Sequence, residues 1–170
     1  MTEDQEITRK LLKTTADSAR YCKLIEEARQ YDKDDFVKKV TELLPVIYSD
    51  FLMLDSEELG LIDERYYPTY VDEQWYETVR RNVENVLGPD DIFLETFEED
   101  MKYSDTPIAA SISEGLADIF QALYNMVMTV KESEGEETAG AYAECRENFA
   151  GYWSQTLCNV LRALNHLRFA

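Results

Sequence analysis

One histidine, three cysteines and an excess of carboxylates are the side chains of this 170-residue chain that could carry chemistry. His166 lies near the C-terminal end of a helical pattern, where the helix dipole favours the imidazolium. No nucleophile or carboxylate stands at a recognisable spacing from it, so it reads as a boundary residue rather than a general base. A di-iron or di-manganese bundle needs two Glu-x-x-His pairs, and the residue three before His166 is Ala163. A magnesium-dependent helical nucleotide pyrophosphatase needs Glu-Glu-x-x-Glu and Glu-x-x-Asp clusters on facing helices. The nearest matches are Glu98-Glu99-Asp100, in a loop, and Glu114 with Asp118. The face shared by Glu114, Asp118, Gln121 and Asn125 lies opposite an apolar stripe and reads as solvated. Asp90-Asp91 and residues 100–105 lack the spacing and glycine of a calcium loop. The glycines form neither a P-loop nor Gly-x-Gly-x-x-Gly, and no serine sits in a nucleophile elbow. Cys22, Cys145 and Cys158 have no paired short spacing and lie among apolar residues, so they read as small buried hydrophobes in a reducing compartment. Of Cys22 and Cys158, only Cys22 has a basic neighbour, Lys23, which is weak support for a reactive thiol. The expectation is no catalytic residue, no metal and no cofactor, and the reading leans away from an enzyme.

Binding falls to a different set of residues. At about 100° per residue, Asn148, Tyr152, Gln155, Asn159, Arg162 and His166 fall in one row along the edge of an apolar helical stripe. Hydrogen-bonding groups beside a core either find partners inside the fold or present themselves to another molecule. The first alternative is internal bonding to neighbouring helices; the second is a binding or self-association surface. A competing reading builds a small-molecule or metal-dependent active site from this row and carboxylates of the segment 89–105. Its signature would be an enclosed pocket joining Arg162 and His166 to one of those acids.

The elements that must position these residues are helical. Apolar side chains recur at helical spacing almost throughout, while strict alternation over a strand length is hard to find. The spacing predicts an all-α, five-helix bundle. A first helix covers about residues 4 to 30, and a second, capped by Asp32 or Asp34, carries the stripe Phe36, Val40, Leu43, Leu44, Ile47, Phe51 and Leu54. Pro45 inside that stripe predicts a kink. Residues 55–70 read as a long loop. Thr69 is a candidate cap for a third helix bearing Val71, Trp75, Val79, Val83 and Val86, which Gly88-Pro89 closes. Residues 89–110 form a second long loop whose Ile92-Phe93-Leu94 and Phe97 predict that it packs down on the bundle. A fourth helix starts near Ser111 or Ser113 and runs to about Ser133. After an acidic loop around Gly135 and Gly140, the fifth carries Tyr142, Cys145, Phe149, Trp153, Thr156, Val160, Leu164 and Leu167. Composition and length fit a single domain over residues 1–170.

Charge is distributed unevenly. The formal net charge is −18, from 35 acidic and 17 basic residues. Residues 1–30 are balanced, while residues 31–110 hold 21 acidic and seven basic side chains. Such a surface repels phosphates and anionic membranes, which makes direct nucleic-acid binding unfavourable. The acidic middle reads as solvated surface, or as a docking face for a basic partner or a mimic of nucleic acid. Two helical stretches, 119–130 and 148–161, carry no charge at all. A helix without a charged face is normally surrounded by others, so the fourth and fifth helices are predicted to be the central pair. There is no apolar run of membrane-spanning length, and the acidic N-terminus does not look like a secretory signal, so a cytoplasmic protein is expected.

Two stretches carry a family likeness: Glu98 to Pro107 running into Ser113-Glu114-Gly115-Leu116-Ala117-Asp118, and Asn148-Phe149-Ala150-Gly151-Tyr152-Trp153 through Leu164. Together with the Gly88-Pro89-Asp90-Asp91 turn, they resemble the bacterial family known as domain of unknown function 5063, common in Bacteroidetes. The resemblance spans most of the chain. It implies an all-helical, cytoplasmic bacterial protein and transfers no catalytic residue. The residues and the likeness together point to a non-enzymatic helical module that binds an unidentified protein partner or itself. A charge placed in the row, Asn159→Arg, is then expected to disrupt association while helix content stays intact.

Overall fold

The computed structural model of the chain describes residues 2–55, 57, 59, 67–95 and 108–170. Helix α1 (Glu3–Glu26) opens on a capping box: the Thr2 hydroxyl accepts the Gln5 N–H, and the Gln5 side chain accepts that of Thr2. A 3₁₀ turn, Ala28–Gln30, leads to Asp32, whose carboxylate accepts the Asp35 N–H and starts α2 (Lys33–Leu52). α2 passes through Pro45 without restarting. Pro45 is on the exposed side, so the Thr41 carbonyl that loses its donor is also on that side.

Helix α3 (Glu73–Leu87) is capped by Asp72, not Thr69. The chain before it is held by Asn125, whose side-chain oxygen accepts the N–H groups of both Tyr70 and Val71, at 2.8 and 3.0 Å. Gly88, at φ +61°, ends α3 in a conformation that a side chain disfavours. The 3₁₀ turn Gly88–Asp91 then feeds a two-stranded antiparallel hairpin, β1 (Ile92–Leu94) with β2 (Ala109–Ser111), in which Phe93 faces Ala110. This small sheet is an addition to the helical expectation.

Ser111 caps α4 (Ile112–Glu132). The fifth rod has three segments: α5 (Thr138–Asn148), a π-helical turn (Phe149–Trp153) and α6 (Ser154–Phe169). Gly140 therefore lies inside α5 rather than in the loop before it. The helices make the fold all-α apart from the hairpin. α4 packs against α1, α3 and the fifth rod, while α6 lies between α2 and α4. Buried side chains from all five rods join one apolar cluster. Close approach of α4 and α6 depends on Gly115, because a Cβ there would stand 2.4 Å from Val160 Cγ1. Tyr21 ties α1 to α4 by donating to the Leu116 carbonyl at 2.7 Å. Aromatic edges from Phe51, Phe149 and Trp153 fill the α2 side, and Trp75, Phe120 and Tyr124 the α3 side. Among the described residues no helix is long and apolar enough to cross a membrane.

Candidate functional site

The row predicted on the fifth helix runs through the π-turn. Such a turn holds one residue more than an α-turn, and so rotates the residues beyond it by about 100° relative to a straight helix. The turn sets Asn148 and Tyr152 apart from the four residues of α6, which keep a common face on which Asn159 is covered by Glu95. Asn148, before the turn, lines a small cavity with Tyr67, Asn125 and Glu144. Tyr152, inside it, projects toward α4. Gln155, Arg162 and His166 are exposed on α6, whereas Asn159 is buried.

Tyr152 donates its hydroxyl to Asp118 at 2.9 Å, and Tyr76 of α3 donates to the other oxygen of the same carboxylate at 2.6 Å. The face of Glu114, Asp118, Gln121 and Asn125 is therefore not simply solvated: Tyr76, Tyr152 and the segment 67–71 cover part of it. Burial, reinforced by the hydrogen bond to Asp118, pushes the Tyr76 phenol well above its ordinary value and that of Tyr152 up to about 12. Both phenols stay protonated at neutral pH and serve as donors. The arrangement locks three helices together, with both oxygens of the Asp118 carboxylate taken by phenol donors.

Asn159 donates to the Glu95 carboxylate at 2.8 Å, and Arg162 donates to the Leu94 carbonyl at 2.8 Å. These two bonds fasten the hairpin to α6. Substituting Asn159 thus tests packing, and a cleaner probe of an exterior surface lies elsewhere. On the outward side the hairpin presents Ile92, 61% exposed, and Leu94, 57% exposed; Tyr152, on the fifth rod, is 59% exposed. Glu95 falls in the segment 89–105 whose carboxylates the competing reading brought to the row, whereas nothing in the sequence signalled Leu94 or Tyr76, which reach it only through the tertiary fold.

Arg162 also lines an open groove between α2 and α6 with Glu42, Pro45, Cys158, Leu161 and Phe169. His166 does not line it, and Glu95 is engaged by Asn159, so the described residues do not join Arg162 and His166 to an acid of the segment 89–105. Cys22 and Cys145 are buried as expected, but Cys158 is exposed at this groove, because the stripe of α6 passes through its neighbour Leu157. All three cysteines are free thiols, and burial raises Cys22, Cys145 and Cys158 above the ordinary thiol value, which disfavours thiolate chemistry. Among the described residues no group of three or more His, Cys, Asp or Glu side chains is placed to hold a metal ion.

The crystal structure of protein BF1032 from Bacteroides fragilis is similar to this fold, with a TM-score of 0.81 and 27% sequence identity, covering 95% of this chain and 93% of that one. No curated protein matches the chain. Of the two stretches that carry the family likeness, the second opens at residues 148–153 on the π-turn and its flank, while residues 98–107 of the first lie outside the described residues. A family model described as "Domain of unknown function (DUF5063)" matches residues 5–170, and the chain belongs to that family.

Proposed function

We propose that residues 1–170 act as one non-enzymatic, cytoplasmic binding domain that self-associates through the face formed by the hairpin and the fifth rod. The observation that carries this reading is the exposure of Ile92, Leu94 and Tyr152 around the uncharged stretch 148–161. At a net charge of −18, two copies repel each other across most of their surfaces. The face around this charge-free stretch, where Asp118 is held by Tyr152 and Glu95 by Asn159, is where they approach at lower electrostatic cost, and a two-fold axis would bring it against itself. Exposed aromatic and aliphatic side chains edged by an arginine fit the composition of a protein contact. Gln155, Arg162 and His166 supply its polar rim, and Asn159 supports it from beneath. The same acidity disfavours nucleic acid and anionic membrane as partners.

Gel filtration with light scattering tests this. A species of twice the 19.8 kDa chain mass is expected, and Leu94→Arg is expected to return it to a monomer with unchanged helix content. A wild-type chain that stays monomeric across the concentration range overturns self-association and leaves the face to a different protein.

A further inference from the structure

A cavity of about 130 Å³ opens between α4, α5 and the segment 67–69, apart from the proposed docking face. Cavities of about 150 Å³ hold a benzene-sized molecule, so the space suits a ligand of about six heavy atoms. Ala122, Met126 and Ala141 give it apolar walls. Three polar side chains line it, and each keeps hydrogen-bonding capacity unused among the described residues. The Asn125 oxygen is consumed by the Tyr70 and Val71 N–H groups, which fixes the amide's orientation and leaves its NH₂ donors unaccepted. Glu144 and Asn148, one turn apart on α5, line the same space with neither an ion pair nor a hydrogen bond from their side chains. Gly140 keeps the cavity's Tyr67 wall in place, since a Cβ there would collide with the Tyr67 hydroxyl.

We infer that this cavity binds a compact primary ammonium bearing a neighbouring carbonyl or hydroxyl oxygen. Glu144 and Asn148 accept from the ammonium, and Asn125 donates to the oxygen. The cation also answers an electrostatic need. Partial desolvation at the cavity mouth, with Glu147 nearby, raises the Glu144 carboxyl above its ordinary value, and a bound ammonium would favour its charged form. The chemistry is shared by a free amino amide or amino alcohol and by the first residue of a peptide.

Titration of the ¹⁵N-labelled protein with glycinamide tests the inference. Saturable shifts are expected at the amides of Ala122, Asn125, Glu144 and Asn148. Acetamide, which keeps the oxygen and lacks the ammonium, should leave them unmoved. Glu144→Gln, at an exposed position where folding is undisturbed, should weaken glycinamide by about tenfold, the loss of roughly 1.4 kcal/mol. Triglycine amide binding as well as glycinamide would identify a chain N-terminus as the source, and its failure a free small molecule; either supports the assignment. Absence of saturable glycinamide shifts, or equal affinity in Glu144→Gln, overturns it. Because the readout is local to the cavity, its failure would leave the docking face untouched.

Discussion

The two oxygens of the Asp91 carboxylate take both donors of Ser113, the backbone N–H and the hydroxyl, each at 2.7 Å. Both residues are buried, and the bond joins the turn after α3 to the first turn of α4. The hairpin lies between them in sequence, so this clamp sets where the hairpin starts and where it returns. A carboxylate at a helix N-terminus is also favoured by the helix dipole. The Asp90-Asp91 pair thus has a structural use that its failure as a calcium loop did not suggest.

Removing the clamp leaves the Ser113 N–H buried without its acceptor and the hydroxyl with only a long 3.4 Å contact to the Ser111 hydroxyl. Asp91→Ala is expected to cost about 3 kcal/mol, within the range for charged hydrogen bonds lost from a buried site. Asp91→Asn should cost less, since its amide oxygen still accepts one of the two bonds. Urea denaturation of the three proteins checks the order; an alanine variant as stable as wild type would remove the clamp from the account of the fold.

A second buried carboxylate makes stability depend on pH. Asp17 of α1 and Asp50 of α2 share Lys13, at 2.8 and 2.7 Å. Burial, together with the hydrogen bond to Asp17, pushes the Asp50 carboxyl from 3.8 up to about 6. Burial also presses Asp17 upward, but hydrogen bonds from Asp50 and Lys13 outweigh it and hold that carboxyl below its ordinary value. For Asp50 the folded pKa exceeds the unfolded one, so its contribution is fully present below about 3.8 and is lost as pH rises through about 6. Asp17 works in the opposite sense: its contribution is present above its unfolded value and is lost as pH falls through the lower folded one. Asp50→Asn keeps an acceptor for Lys13 and removes the titration. Its urea midpoint should gain on wild type as pH goes from 4 to 7; a constant difference between the two proteins across that window would refute the assignment.

The helices were legible because burial of one face imposes a 3.6-residue period on the apolar side chains, and because Asp32, Ser111 and Gly88 mark ends in the chemistry of single residues. The hairpin was not legible. Ile92–Leu94 is too short to show alternation, and its partner Ala109–Ser111 lacks the β-branched and aromatic side chains that mark strands. Thr69 and Asp72 are both of capping type for α3, and it is Asn125, from another helix, that takes the Tyr70 and Val71 N–H groups and leaves Asp72 to cap the helix. The candidate row is visible by residue type but misplaced in space, since angular extrapolation assumes a uniform helix.

A trace of the π-turn was nevertheless present in the spacing. The buried residues of the fifth rod include Tyr142, Cys145, Phe149, Trp153, Leu157, Val160 and Leu164, and from Cys145 to Leu157 they recur every fourth residue three times running. In a straight α-helix each such step drifts by about 40°, and three carry the stripe well off its face. The wider turn at Phe149–Trp153 absorbs the drift. Deleting Gly151 would convert the spacing to alternating threes and fours, which a regular α-helix keeps on one face. The deletion is therefore expected to fold cooperatively, with a loss of no more than about 3 kcal/mol by urea denaturation. It should also detach Tyr152 from Asp118. Gly151→Ala, where an added Cβ meets nothing within 4 Å, should leave stability unchanged or slightly raised. If the deletion instead abolishes cooperative unfolding, the extra residue is not a bulge riding on an otherwise regular stripe, and the rotation that divides the row must arise elsewhere.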